Sequence, residues 1–187
     1  MIGGTGVMLL ASLASLGAFV LVARGLGRRL GWVTAVALAG FAWTVVVIGI
    51  LTLLPAQWDT GIVRADTRME TCSMDYGGPA PDGFWILSGD QRMLNVAVFI
   101  PAGALWVLGV ARWRRGWRLA PVGLAALGLY SIAIESLQLA LARIDRACDV
   151  TDVVDNVTGT LVGGVIGLVL ALVLRPWRHR RDEFSRR

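Results

Sequence analysis

Residues 146–156 read Arg-Ala-Cys-Asp-Val-Thr-Asp-Val-Val-Asp-Asn, and the fold is organised around this stretch. It sets five ionisable side chains against an apolar run that covers residues 153–174. At about 1.5 Å per residue, a run of this length crosses a hydrocarbon core roughly 30 Å thick. Charge at the mouth of a membrane span is costly and is retained for packing or for function. The stretch is therefore the first candidate for a site.

The composition of the chain indicates an integral membrane protein. Hydrophobic residues make up 56% of its 187 residues, against roughly 45–50% in soluble domains. All 18 basic residues are arginine, and the net charge is +5. Arginine clusters in a membrane protein mostly mark cytoplasmic loops. We therefore expect no nucleic-acid partner.

Hydrophobic runs divide the chain into five predicted spans. We expect an all-α membrane protein, a bundle of about five transmembrane helices within one domain, residues 1–187. The connection between the first two spans contains three arginines, at positions 24–29. Pro101 should bend the third span, because the carbonyl of Ala97 loses its hydrogen-bond partner. The predicted spans are residues 7–23, 32–54, 93–110, 119–142 and 153–174.

Arginine counts predict the orientation. Residues 24–29, 112–118 and the basic tail 175–187 hold 13 of the 18 arginines. By the positive-inside rule the N-terminus is outside and the C-terminus is cytoplasmic, in a multi-pass membrane protein. The polar loop 55–90 is then extracytoplasmic. Cys72 and Cys148 share that oxidising side, so a disulfide is one possibility and two free thiols are the other.

One predicted helical face carries three of the polar side chains of residues 146–156. They are followed by Gly159-x-x-x-Gly163, a spacing that permits close helix approach. The alternative is capping, with Asp149 as the N-cap and Asp152 adding charge to the first turn. If the helix begins near residue 149, steps of three and four residues place the following side chains on one stripe: Asp149, Asp152, Asn156, Gly159 and Gly163.

Glu135 sits about 10 Å below the end of its predicted helix and needs a partner at that depth. Gln138 shares its face, and Arg146 could fold back to pair with Glu135. Asn95, at a comparable depth on the third helix, could complete the same pocket. Its alternative is a structural amide that hydrogen-bonds between helices.

Other site classes have weaker support. Glu135, Asp149 and Asp152 could bind Mg²⁺ or Ca²⁺ through oxygen, but their spacing matches no known loop, and no His or Cys set completes a zinc site. The chain contains no phosphate-binding glycine loop and no nucleophile elbow. We expect neither a metal nor a cofactor.

Three motifs resemble the VanZ-like family of small bacterial membrane proteins. The resemblance covers about residues 52–167. It rests on an Asn-x-x-x-Phe-x-Pro-x-Gly segment, a Glu-x-x-Gln helix and an Arg-x-x-Asp-x-x-Asp-x-x-x-Asn-x-x-Gly segment. The residues that carry it are Asn95, Phe99, Pro101 and Gly103, then Glu135 and Gln138, then Arg146, Asp149, Asp152, Asn156 and Gly159. Cys148 stands where an aromatic residue is expected, which favours a disulfide specific to this chain.

The resemblance implies a cell-envelope role, because the family is named for a member that lowers susceptibility to the glycopeptide antibiotic teicoplanin. We expect an outward-facing polar pocket that binds a lipid or a lipid-linked cell-wall intermediate. Arg146 would contact phosphate, and Asp149 and Asp152 would accept from sugar or ammonium groups. The remaining expected roles are neutral hydrogen bonds from Asn95, Gln138 and Asn156, and anchoring of the pocket by Glu135.

Two alternatives come from other functional classes. An intramembrane hydrolase or transferase would use Glu135 as the general base on such a lipid, since a carboxylate shielded from water suits proton transfer near neutrality. A structural scaffold would use the same polar residues only to hold helices together. Whether the chain is an enzyme is left open at this stage.

Overall fold

A computed structural model describes residues 4–54, 71–76, 90–141 and 148–177, and all of its helices are long and apolar enough to span a membrane. The prediction of an all-helical bundle with five spans is therefore confirmed. In chain order the helices are α1 (Thr5–Leu30), α2 (Trp32–Leu53), α3 (Asp90–Val110), α4 (Gly116–Leu141) and α5 (Val150–Leu174).

The connection between α1 and α2 differs from the prediction. Arg24, Arg28 and Arg29 were expected in a loop, but α1 remains helical through Leu30. Arginine is a good helix former, so these charges mark where the apolar part of the helix ends without ending the helix itself. The chain turns at Gly31, whose φ of 74° is a conformation that glycine adopts readily.

Helices α3 and α5 form the centre of the bundle and lie side by side in parallel. Their backbones approach closely along a line of glycines on α5. A Cβ added at Gly159, Gly163 or Gly167 would collide with a backbone carbonyl of α3. The opposing carbonyls belong, in the same order, to Val96, Ile100 and Ala104. The small-residue spacing on α5 thus sets the closest helix contact of the described chain.

The other helices pack around this pair. α2 lies against α3, and α4 contacts both α3 and α5, while α1 packs mainly against α2 and is the least buried span. α3 is helical through Pro101. One apolar core brings together α2, α3 and α4 through Ile48, Phe99, Ala102, Leu127 and Ile134.

Charge separates towards the two ends of the bundle. We call the end where α3 and α5 begin the acidic end, because the described carboxyl groups lie there. The other end, where α4 begins, is the arginine-rich end. Eight of the nine described arginines lie on that side, and Arg92 is the exception. This asymmetry is the pattern on which the predicted orientation rests.

Candidate functional site

A buried ion pair joins the two central helices at the acidic end. Arg92, in the first turn of α3, donates from Nε to Asp155 Oδ2 and from Nη2 to Asp155 Oδ1, both at 2.8 Å. Asp155 is 0% exposed and Arg92 is 6% exposed. Two parallel hydrogen bonds of this kind are the strongest geometry available to an arginine and a carboxylate. The pair therefore fixes α3 against α5.

Sequence reasoning missed this pair. Arg92 was counted only among the arginines used to predict the orientation. Asp155 was considered only as one of the charged residues in the stretch 146–156. A carboxylate inside an apolar span needs a cation nearby, and this was the available signal. The sequence could not say which arginine supplies it, since Arg92 and Asp155 are 63 residues apart.

Asn95 and Asp152 form a second link between the same helices. Asn95 Nδ2 donates to Asp152 Oδ1 at 2.7 Å, and both residues are only partly buried. The structure thus brings together two residues that were singled out separately in the sequence. In this contact Asn95 acts as an amide that hydrogen-bonds between helices, at the partly exposed edge of the bundle.

Asp149 caps α5, as the capping alternative described. Its Oδ1 accepts from the backbone N–H of Thr151 at 2.8 Å, and α5 begins at Val150. Glu135 lies close by on α4, where it is 5% exposed, and its Oε2 accepts from the backbone N–H of Asp149 at 3.2 Å. Glu135 therefore holds the start of α5 to α4.

The two remaining amides face neighbouring helices. Asn156 Nδ2 donates to Ser131 Oγ on α4 at 2.9 Å. Gln138 Nε2 donates to the backbone carbonyl of Thr52 on α2, also at 2.9 Å. Both amides are buried. The predicted stripe on α5 is therefore divided, since Asp152 and the glycines face α3 whereas Asn156 faces α4.

A short segment, residues 71–76, is attached to this end of the bundle. A disulfide joins Cys72 to Cys148, and Ser73 pairs with Asp149 in an isolated parallel β-bridge. Tyr76 then lies beside the buried ion pair. Arg92 Nη2 donates to its hydroxyl at 3.2 Å, and the guanidinium lies 5.2 Å from the ring centroid. The disulfide thus keeps an aromatic side chain next to Arg92.

Arg146, expected to pair with Glu135 and to contact phosphate, lies outside the described residues, as do residues 55–70 and 77–89 of the long loop. Among the residues that the structure describes, no group of three His, Cys, Asp or Glu side chains could hold a metal ion.

These contacts define one site at the acidic end, which we call the polar cluster. Its base is buried, and its edge is exposed at Tyr76 and half-buried at Asp149 and Asp152. It contains one arginine and four carboxyl groups, so its described part is acidic. The polar cluster consists of Tyr76, Arg92, Asn95, Ser131, Glu135, Gln138, Asp149, Asp152, Asp155 and Asn156.

Comparison with known proteins supports the resemblance seen in the motifs. The family model described as VanZ/LLP1 matches residues 7–175, which is most of the chain and includes every residue of the polar cluster. No curated protein and no solved structure matches the chain. With its five apolar spans and this match, the chain is a multi-pass membrane protein that belongs to the VanZ/LLP1 family.

Proposed function

We propose that this protein binds the headgroup of a cell-envelope lipid, or of a lipid-linked envelope intermediate, at the polar cluster. The observation that carries the proposal is a buried charged base, Arg92 with Asp155, beneath a half-buried edge formed by Asn95, Asp149 and Asp152. Such an arrangement gives a ligand access to fixed polar groups at the end of a membrane bundle. Ionisable residues inside membrane spans are by default candidates for function.

Energetics favour this proposal over packing alone. Replacing a buried ion pair by apolar side chains of similar volume is often neutral or stabilising, so the pair is weak evidence for stability. The seam of glycines already brings α3 and α5 together without any charge. Stability therefore gives little reason to keep Arg92 and Asp155, whereas holding a ligand site open and oriented does.

The chemistry of the described residues favours a particular headgroup. Arg92 already directs two donors at Asp155 and one at Tyr76. The half-buried carboxylates of Asp149 and Asp152 are acceptors, which suit the hydroxyl groups of a sugar or an ammonium group. Arg146 is still the residue that we expect to contact a phosphate. The proposed ligand thus carries hydroxyl or amino groups as well as an anionic linkage to its lipid.

The test is to purify the full chain from host membranes and to quantify the lipids that accompany it by mass spectrometry. Asp152→Asn keeps an acceptor for Asn95 but removes the charge, and it should lower retention of the bound lipid by roughly tenfold. Asp75→Asn, the same change at an exposed position of the same end, is the matched control and should retain it. Equal retention by both variants would overturn the proposal.

A scaffold is the second candidate, because the described polar contacts also join helices to one another. Gln138 joins α4 to α2, and Asn156 joins α5 to α4. Asp152 and Asp155 join α5 to α3. A scaffold predicts that Asn156→Ala, which removes the bond to Ser131, lowers stability, while neither Asn156→Ala nor Asp152→Asn loses a lipid class selectively. The thermal midpoint of each variant, measured on the lipid-quantified samples, separates the two functions.

Glu135→Gln distinguishes the enzyme alternative. It abolishes turnover if Glu135 is a general base, whereas a binding site loses only part of its affinity. Glutamine can still accept from the backbone N–H of Asp149, so the fold is expected to survive. Incubation of the retained lipid with wild type and variant, followed by mass analysis, reveals any product.

Lowered teicoplanin susceptibility is the proposed consequence for the cell, and it is inferred from family kinship. A sensitive Gram-positive host expressing the wild type is expected to tolerate more teicoplanin than the host alone, and Asp152→Asn should lose that protection at matched membrane levels. No protection by the wild type would remove the resistance proposal and leave the lipid proposal to its own test.

A further inference from the structure

A groove lies between α4 and α5. It is a cavity of ≈ 480 Å³ whose walls are almost wholly aliphatic. The bonded pair Ser131 and Asn156 lies beside its upper lining, next to Ile132 and Val157, so the groove begins at the lower edge of the polar cluster. On α4 its lining extends towards the arginine-rich end as far as Pro121. Its lining includes Pro121, Leu124, Gly128 and Ile132 on α4, and Val157 and Leu161 on α5.

The helix faces that line this groove each lead, beyond the lining residues, to an exposed arginine. On α4 the lining face steps back three residues from Pro121 to Arg118. On α5 the lining ends at Leu161, and the same exposed face continues beyond the groove through Val165, Leu168 and Leu172 to Arg175, at the C-cap. α4 begins and α5 ends at the arginine-rich end, so both arginines lie at that end of the bundle, which we call the mouth of the groove.

Aromatic and backbone contacts order the two arginines. The Arg118 guanidinium lies over the Trp117 ring, 4.9 Å from its centroid. Arg175 Nε donates to the backbone carbonyl of Leu172 at 3.3 Å. Tryptophan is enriched where a span meets the headgroup region, so this mouth lies at the level of lipid headgroups.

We propose that this groove is a binding site for one anionic phospholipid of the leaflet at the arginine-rich end. Its acyl chain lies between α4 and α5, and its phosphate lies between Arg118 and Arg175. Charge complementarity selects this occupant, because two arginines at the mouth of an apolar groove favour a negative headgroup over a zwitterionic one. The proposed phosphate position lies at the opposite end of the bundle from the carboxyl groups of the polar cluster.

Gly128 keeps the groove open. A Cβ at this position would meet only Val157, at 3.5 Å, so a small side chain would fit. A leucine there would fill the space between the helices and exclude an acyl chain. Gly17 on α1, which has nothing within 4 Å of an added Cβ, accepts the same substitution without touching the groove.

Native mass spectrometry of the detergent-purified full chain tests the proposal, with phosphatidylglycerol and phosphatidylcholine of identical acyl chains as probes. The wild type should bind one phosphatidylglycerol in preference to phosphatidylcholine. The double variant Arg118→Gln with Arg175→Gln should lose this preference by roughly tenfold or more. Gly128→Leu should weaken binding of both lipids, while Gly17→Leu should not.

Arg28→Gln with Arg29→Gln is the charge control, because it removes two arginines from the same end on α1, away from the groove. This control should keep the preference. The proposal is overturned if the control loses as much binding as the groove variant, which would mean general attraction to a basic surface. It is equally overturned if Gly128→Leu binds both lipids as the wild type does.

Discussion

Arg92 and Asp155 are held to each other by two hydrogen bonds of 2.8 Å in a part of the bundle where both side chains are buried. Removing one partner leaves the other as an uncompensated charge, whereas removing both leaves none. The pair is thus expected to behave as a unit. The loss of stability in the double variant should be smaller than the sum of the losses in the two single variants.

We predict that Arg92→Met or Asp155→Leu alone lowers the free energy of unfolding by about 3–5 kcal/mol. The double variant Arg92→Met with Asp155→Leu should be less destabilised than either single variant. Denaturant titration in detergent, followed by tryptophan fluorescence, measures all three. Additive losses would show that the two side chains contribute independently and would contradict the coupling.

At the scale of single residues, the sequence predicted which side chains would gather but not their partners. Asn95, Glu135, Asp149 and Asp152 were picked out because polar groups at membrane depth need an explanation. Their contacts depend on the rotation of each helix about its axis, which a pattern of threes and fours leaves undetermined. Arg92 was not predicted as a site residue, because it lies at the edge of a span, where arginines are common.

At the scale of elements, the approach of α3 and α5 depends on the absence of side chains at the glycines of α5. Gly163→Ala would push a methyl group into the carbonyl of Ile100. We predict a loss of about 1–3 kcal/mol in the free energy of unfolding, as for other overpacked contacts. The same titration measures this loss.

Gly17→Ala is the control for this prediction, since its added methyl group meets nothing within 4 Å. It should leave stability unchanged or slightly raised, because alanine favours a helix over glycine. A Gly163→Ala variant as stable as the control would mean that α3 and α5 can separate slightly at no cost.

The 71–76 segment is attached to α5 through Cys72 and Cys148. Cys72→Ser should lower the free energy of unfolding by about 2–4 kcal/mol, since the disulfide closes a long loop. Alkylation of unfolded wild type should add mass at two cysteines only after reduction, and intact mass spectrometry measures this. Alkylation of both thiols without reductant would contradict the bond.

Local sequence predicts the elements better than their ends. Apolar runs located all five helices, since a hydrocarbon core demands apolar length and internal hydrogen bonding. The end of α1 was missed because hydropathy reports where a helix leaves the membrane and not where it stops. Gly31, the residue that turns the chain, was the better signal.

At the scale of the whole molecule, the separation of charge predicts that the arginine-rich end faces the cytoplasm. Green fluorescent protein fused to the C-terminus should fluoresce, and alkaline phosphatase fused there should be inactive. A fusion at the N-terminus should give the opposite pattern. Active phosphatase at the C-terminus would reverse the orientation and place the polar cluster on the cytoplasmic side.

The central claim is that the polar cluster binds a ligand in the folded protein, and ligand-induced stabilisation measures this most directly. Membrane lipid extract from a Gram-positive host should raise the thermal midpoint of the wild type by about 5 °C or more if the ligand is well above its dissociation constant. Asp152→Asn should show less than half of that rise. An equal rise in wild type and variant would contradict a binding role for the polar cluster.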